Sequence, residues 1–173
     1  MDGLPAVNRL LENARGSESL ALVLADNQLP AAPDTITCTA LTELHVAAQT
    51  YLETVLELIE RMPRLAKLSF GCLDLGTVIG DISIPSAEDA AVEPLNTSLK
   101  ELTLSTCWGA DSSDETVDAV KFILLKIPSL VKLCATQIPV DPVYDFVEEY
   151  APRYPHLSGI ELELNGGEDS VDT

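Results

Sequence analysis

The amino-acid sequence predicts an α/β solenoid of strand-plus-helix units, with parallel strands on a concave face and helices on the convex face. Three observations predict it. A phrase of hydrophobic residue, Pro, any residue and Leu occurs as Met62-Pro63-Arg64-Leu65, Ile127-Pro128-Ser129-Leu130 and Tyr154-Pro155-His156-Leu157. Each copy leads into a segment of alternating apolar positions, LAKLSF, LVKLCA and LSGIEL, and the segments LTELHV from Leu41 and LKELTL from Leu99 share that pattern without the proline. The first two copies also close amphipathic helical stretches. Repetition at a few tens of residues is the mark of stacked units that bury a continuous core.

The elements follow in chain order. Leu4 to Asn13 places Val7, Leu10 and Leu11 at helical spacing, as a helix capping the open end would require. Leu20, Leu22 and Leu24 alternate and are read as a sixth, degenerate strand. The other strand segments begin at Leu41, Leu65, Leu99, Leu130 and Leu157, spacings of 24, 34, 31 and 27 residues. Helices are expected near 51–61, 115–126 and 142–150. Their apolar stripes are Leu52, Val55, Leu56 and Ile59; Val117, Val120, Leu124 and Ile127; and Val143, Phe146, Val147 and Tyr150. Thr50 with Glu53, and Ser112 with Glu115, have capping-box spacing, and Asp141-Pro142 is read as a cap followed by a proline at the first helical position. Each proline after a helix ends it, because it lacks the amide donor and its ring clashes with the preceding turn. Residues 73–98 break the rhythm and are read as an elaborated connection with a short helix at 86–92. The whole is expected to form one domain over residues 1–164, followed by an acidic, disordered tail over 165–173.

Composition narrows the partners. Ten Lys plus Arg stand against 28 Asp plus Glu, a net charge of −18 that repels phosphate backbones and anionic lipid surfaces. Aromatic residues make up 5% of the chain, too few for the stacking platforms of single-strand binders. Neither nucleic acid nor membrane is therefore expected as a partner. No apolar run reaches the length of a membrane span, and the N-terminal residues lack the features of a secretory signal, so an intracellular address, cytoplasmic or nuclear, is expected. Cys38, Cys72, Cys107 and Cys134 form no CxxC pair and are read as free thiols.

With strands and helices placed, LKELTLSTC at 99–107 matches the pattern L-x-x-L-x-L-x-x-N/C, with Cys107 in the Asn/Cys position, where Gln49, Leu73 and Ile138 stand in other copies. The chain thereby resembles leucine-rich repeats of the ribonuclease-inhibitor-like class, in particular the irregular repeats attached to F-box substrate receptors. The resemblance covers roughly residues 17–164 and implies a short solenoid of five to six irregular repeats that binds protein. It also implies an alternative function, the substrate-recognition part of an F-box-type ubiquitin-ligase adaptor. No F-box is recognisable, so a cullin-adaptor subunit is implied as a partner only if that module exists elsewhere.

Signs of chemistry are few. The sequence holds no nucleophile elbow, phosphate loop, H-E-x-x-H or G-x-G-x-x-G. His45 and His156 stand several repeats apart, His45 between Leu44 and Val46 and His156 in a turn, and both are read as ordinary surface residues. Asp111, Asp114, Glu115 and Asp118 lack the spacing of a calcium loop and are read as charges favouring a helix start. No catalytic residue, metal or cofactor is assigned, and a small hydrolase with an unrecognised site is the remaining enzyme reading.

The strand face is the expected functional surface. Side chains between the leucines project from the concave side, so Glu43, His45, Lys67, Ser69, Glu101, Thr103, Lys132, Cys134 and Glu161 should form rows about 4.8 Å apart. Charges alternate along Glu43, Lys67, Glu101, Lys132 and Glu161. That alternation fits either a mixed-charge docking face for protein or a ladder of cross-strand pairs that satisfies itself. Trp108, the sole Trp, is a further candidate partner-binding residue, with packing at the sheet rim the stronger reading.

Overall fold

A computed structural model describes residues 16, 18–28, 40–74, 84, 92–106 and 113–165. Six strands, β1 (Ser19–Gln28), β2 (Glu43–Tyr51), β3 (Lys67–Asp74), β4 (Glu101–Thr106), β5 (Lys132–Thr136) and β6 (Glu161–Asn165), pair in parallel in sequence order. Among the described residues there are three α-helices: α1 (Leu52–Arg61) before β3, α2 (Ser113–Lys126) before β5, and α3 (Asp141–Tyr150) before β6. A 3₁₀ turn at Pro155–Gly159 follows α3.

The register explains why leucine spacing built this sheet. Leu20, Leu44, Leu68, Leu102, Leu133 and Leu162 are Cα partners across all six strands, and Leu22, Val46, Phe70, Leu104, Ala135 and Leu164 form the next apolar row. From β2 to β5 both rows are buried, beneath Val55, Ile59, Val117, Val120, Leu124, Val143 and Phe146 of the helices. Because strand side chains alternate between faces, the rows in between lie on the opposite side. Among the described residues nothing closes over that side: Glu43, His45, Lys67, Glu101, Glu161 and Glu163 are exposed, and Ser69, Thr103, Lys132 and Cys134 are half-buried. Parallel sheets are ordinarily covered on both faces, so a one-sided parallel sheet is an unusual arrangement.

The repeated proline phrase has one structural meaning. In each copy the Leu amide donates to the carbonyl of the residue before proline: Leu65 to Met62 at 3.0 Å, Leu130 to Ile127 at 3.1 Å and Leu157 to Tyr154 at 2.9 Å. The six residues flanking these turns are all buried. Before β4, where the phrase is missing, Asn96 occupies the equivalent place three residues ahead of Leu99. Its side-chain oxygen accepts from the amides of Ser98 (2.7 Å) and Leu99 (2.9 Å), while its amide nitrogen donates to the carbonyls of Ile59 (2.9 Å) and Met62 (3.2 Å) at the end of α1. A side chain thus replaces the backbone turn.

Each strand start is also tied to its neighbour. The Glu18 carbonyl accepts from Thr42 and Glu43, that of Thr42 from Ala66 and Lys67, that of Ala66 from Lys100 and Glu101, and that of Lys100 from Val131 and Lys132. These paired bonds hold the first residues of β2 to β5 in line.

The expected degenerate strand is β1, and the three expected helices are present. Some boundaries differ from expectation. Thr50 is not a helix cap: it continues β2, and α1 begins at Leu52. Asp141 does not cap α3 either, because Val140 already has helical backbone angles (φ −77°, ψ −50°) and its carbonyl receives the Val143 and Tyr144 amides. Leu157 is buried from the 3₁₀ turn, not from a strand, and β6 starts at Glu161. Asn165, assigned to the tail, is the last residue of β6, where its carbonyl accepts from the Gln137 amide at 2.6 Å. The helix expected at 4–13, the one expected at 86–92 apart from Val92, which is neither helix nor strand, and the tail after Asn165 lie outside the described residues.

Candidate binding face

The uncovered face carries two complete rows. The first is Ser19, Glu43, Lys67, Glu101, Lys132 and Glu161; the second is Ala21, His45, Ser69, Thr103, Cys134 and Glu163. Six strands at about 4.8 Å spread these rows over roughly 24 Å. All nine of the strand-face residues proposed from sequence therefore meet on one surface. Trp108 lies outside the described residues, as do Cys38 and Cys107. The pattern L-x-x-L-x-L ends at Leu162 and so does not reach Glu163, which the continued alternation of ELEL places in the same row as Cys134.

The charges pair unevenly. Lys67 meets Glu101 at 3.2 Å, both side chains about half exposed (52% and 48%). Lys132 reaches Glu161 at 3.2 Å and also Glu163. Those two glutamates, Glu163 foremost, hold the Lys132 ammonium well above the ordinary lysine range. The Cys134 thiol donates to Glu163 at 3.0 Å. Its pKa is raised, first by loss of solvent and then by the Glu163 carboxylate, so the thiol is not primed as a nucleophile. Glu163 is in turn held below the usual carboxylate range, first by the Cys134 hydrogen bond and then by Lys132. At the other end, Glu43 makes no ion pair among the described residues, although Lys67 is its register partner.

A shallow concavity of about 250 Å³ lies over β1 to β4 on this face, its polar lining made of Ser19, Glu43, His45, Lys67, Ser69, Glu101 and Thr103, with Ala21 among them. A second hollow of about 540 Å³ lies among the proline turns, lined by Pro94, Leu125, Pro128, Arg153, Tyr154 and His156. There the His156 Nε2 is 2.9 Å from the Leu124 carbonyl, a contact that fixes the ring to α2. The Tyr154 hydroxyl is buried with no hydrogen-bond partner among the described residues. Asp118 of the acidic group at the start of α2 pairs with Lys121 at 3.3 Å. No helix among the described residues is long and apolar enough to cross a membrane. No protein-family model, curated protein or solved structure matches this chain.

Proposed function

We propose that this chain is a short leucine-rich-repeat solenoid that binds a protein partner through the uncovered strand face and performs no chemistry of its own. The observation that carries the proposal is the one-sided burial of an all-parallel sheet, apolar rows beneath the helices and polar rows left to solvent. A face this broad matches a protein segment better than a small molecule, which is usually held in an enclosing cavity.

Magnitudes support recognition over stability as the use of the charges. Exposed ion pairs such as Lys67–Glu101 contribute about 0–1 kcal/mol. Burial of a residue such as Phe70 contributes several times that. The ladder is also incomplete at Glu43, so self-satisfaction does not account for the whole row.

The test is affinity capture from lysate with the wild-type chain beside a Lys67→Glu, Lys132→Glu double variant, after circular dichroism has shown both to be folded. A specific partner whose recovery changes in the variant, falling where the partner uses the lysines and rising where it is basic, is the expected result. Identical captures would make the alternating charges structural and remove the reading.

A further inference from the structure

Resting on that reading, we infer that the partner presents a basic segment, and that one of its Lys or Arg side chains seats in the concavity over β1 to β4 against Glu43. The two ends of the polar face differ in what they have left to offer. At the β5–β6 end Lys132 is shared by Glu161 and Glu163, and the Cys134 thiol occupies a Glu163 oxygen. At β3 and β4, Lys67 and Glu101 satisfy each other. Glu43 is the acid of the row left over, exposed and without an ion pair among the described residues.

Around Glu43 the surface falls away. Ser19, Ala21 and Ser69 are small, so the strands beside the glutamate leave a depression where longer side chains would fill it. At about 250 Å³ the depression is below the range of about 300–1,000 Å³ in which small-molecule ligands are usually enclosed. It suits one long side chain of a larger partner. Both lysines of the face are spent internally, leaving a net negative surface on a chain whose formal charge is −18, and complementarity therefore selects a cation.

The probe is a nona-arginine peptide, with a nona-glutamate peptide as its control, at about 0.15 M salt so that long-range attraction is largely screened. Affinity is measured for wild type, Glu43→Lys and Glu148→Lys, the last on an exposed position of α3, and binding is mapped by backbone amide shifts. The expected result is saturable binding of nona-arginine alone, with shifts at Ala21, His45, Ser69 and Thr103. Glu43→Lys should weaken it about tenfold or more, and Glu148→Lys by no more than about threefold. Equal weakening in both variants, or shifts scattered over the acidic surface, overturns the inference in favour of bulk charge attraction. Shifts confined to Glu161 and Glu163 overturn the assignment to Glu43 and leave the open-face reading standing. Absence of binding also overturns the inference, while the lysine double variant judges the open-face reading separately.

Discussion

Asn96 does the most with the fewest atoms. Its carboxamide is buried and fully used, accepting from two amides ahead of β4 and donating to two carbonyls at the end of α1. Removing it leaves four backbone groups to find other partners. Asn96→Ala is expected to destabilise the fold by about 2–4 kcal/mol in chemical denaturation, since a buried group left unsatisfied costs about 1–3 kcal/mol. Asn96→Asp should fare no better, because a carboxylate cannot donate to the Ile59 and Met62 carbonyls. Cys134 and Glu163 give a pH signature with opposite slopes. The folded thiol titrates above its unfolded value, so its contribution to stability is present below the unfolded pKa and declines as pH rises toward the folded one. The folded Glu163 carboxyl titrates below its unfolded value, so its contribution is present above the ordinary carboxylate range and is lost as pH falls through the folded value. Residue-resolved alkylation followed by mass spectrometry should find Cys134 slower than an unperturbed thiol near pH 8, and faster in Glu163→Gln. No change on that substitution would show that loss of solvent alone protects the thiol.

Among elements, the turns before the strands were the most legible in sequence, and the strand ends the least. Proline with flanking apolar residues announces its turn, because its ring forbids a longer helix and the neighbours must be buried. The leucine alternation likewise carried the parallel pairing, since a shift of one residue would turn a whole apolar row to water. Asn96 gave no such signal: it uses side-chain hydrogen bonds to reach residues more than thirty positions away, a relation no local pattern encodes. Leu157 misled for a similar reason, being buried as the others are but from a turn two residues too early for the strand register. The hierarchy can be measured. Phe70→Ala, at a fully buried strand position, should cost about 3–5 kcal/mol, and Leu130→Ala, in the second proline turn, about 2–5 kcal/mol. Lys67→Ala, on the open face, should cost no more than about 1 kcal/mol. Denaturation curves that ranked the lysine with the apolar residues would contradict the division of the sheet into a load-carrying side and a free side.

For the molecule as a whole, charge and topology act separately. A net charge of −18 repels itself in the compact state, so added salt should stabilise this fold even while it screens the pairs of Lys67 and Lys132. The midpoint of thermal unfolding is expected to rise between about 0.01 M and about 0.2 M sodium chloride; a fall would mean that the ion pairs outweigh the self-repulsion. The face holding the candidate site was readable from alternation, whereas its uneven pairing was not, because the choice of Lys67 for Glu101 over Glu43 depends on three-dimensional side-chain reach. Topology has a mechanical consequence. Every strand pairs only with those before and after it in the chain, so the first and last strands lie at opposite edges. Held at Ser19 and Asn165 and drawn apart in an optical trap, the sheet is loaded across its hydrogen bonds and not along its strands. It should open like a zipper, one ladder after another, in a sawtooth of small steps rather than a single rupture.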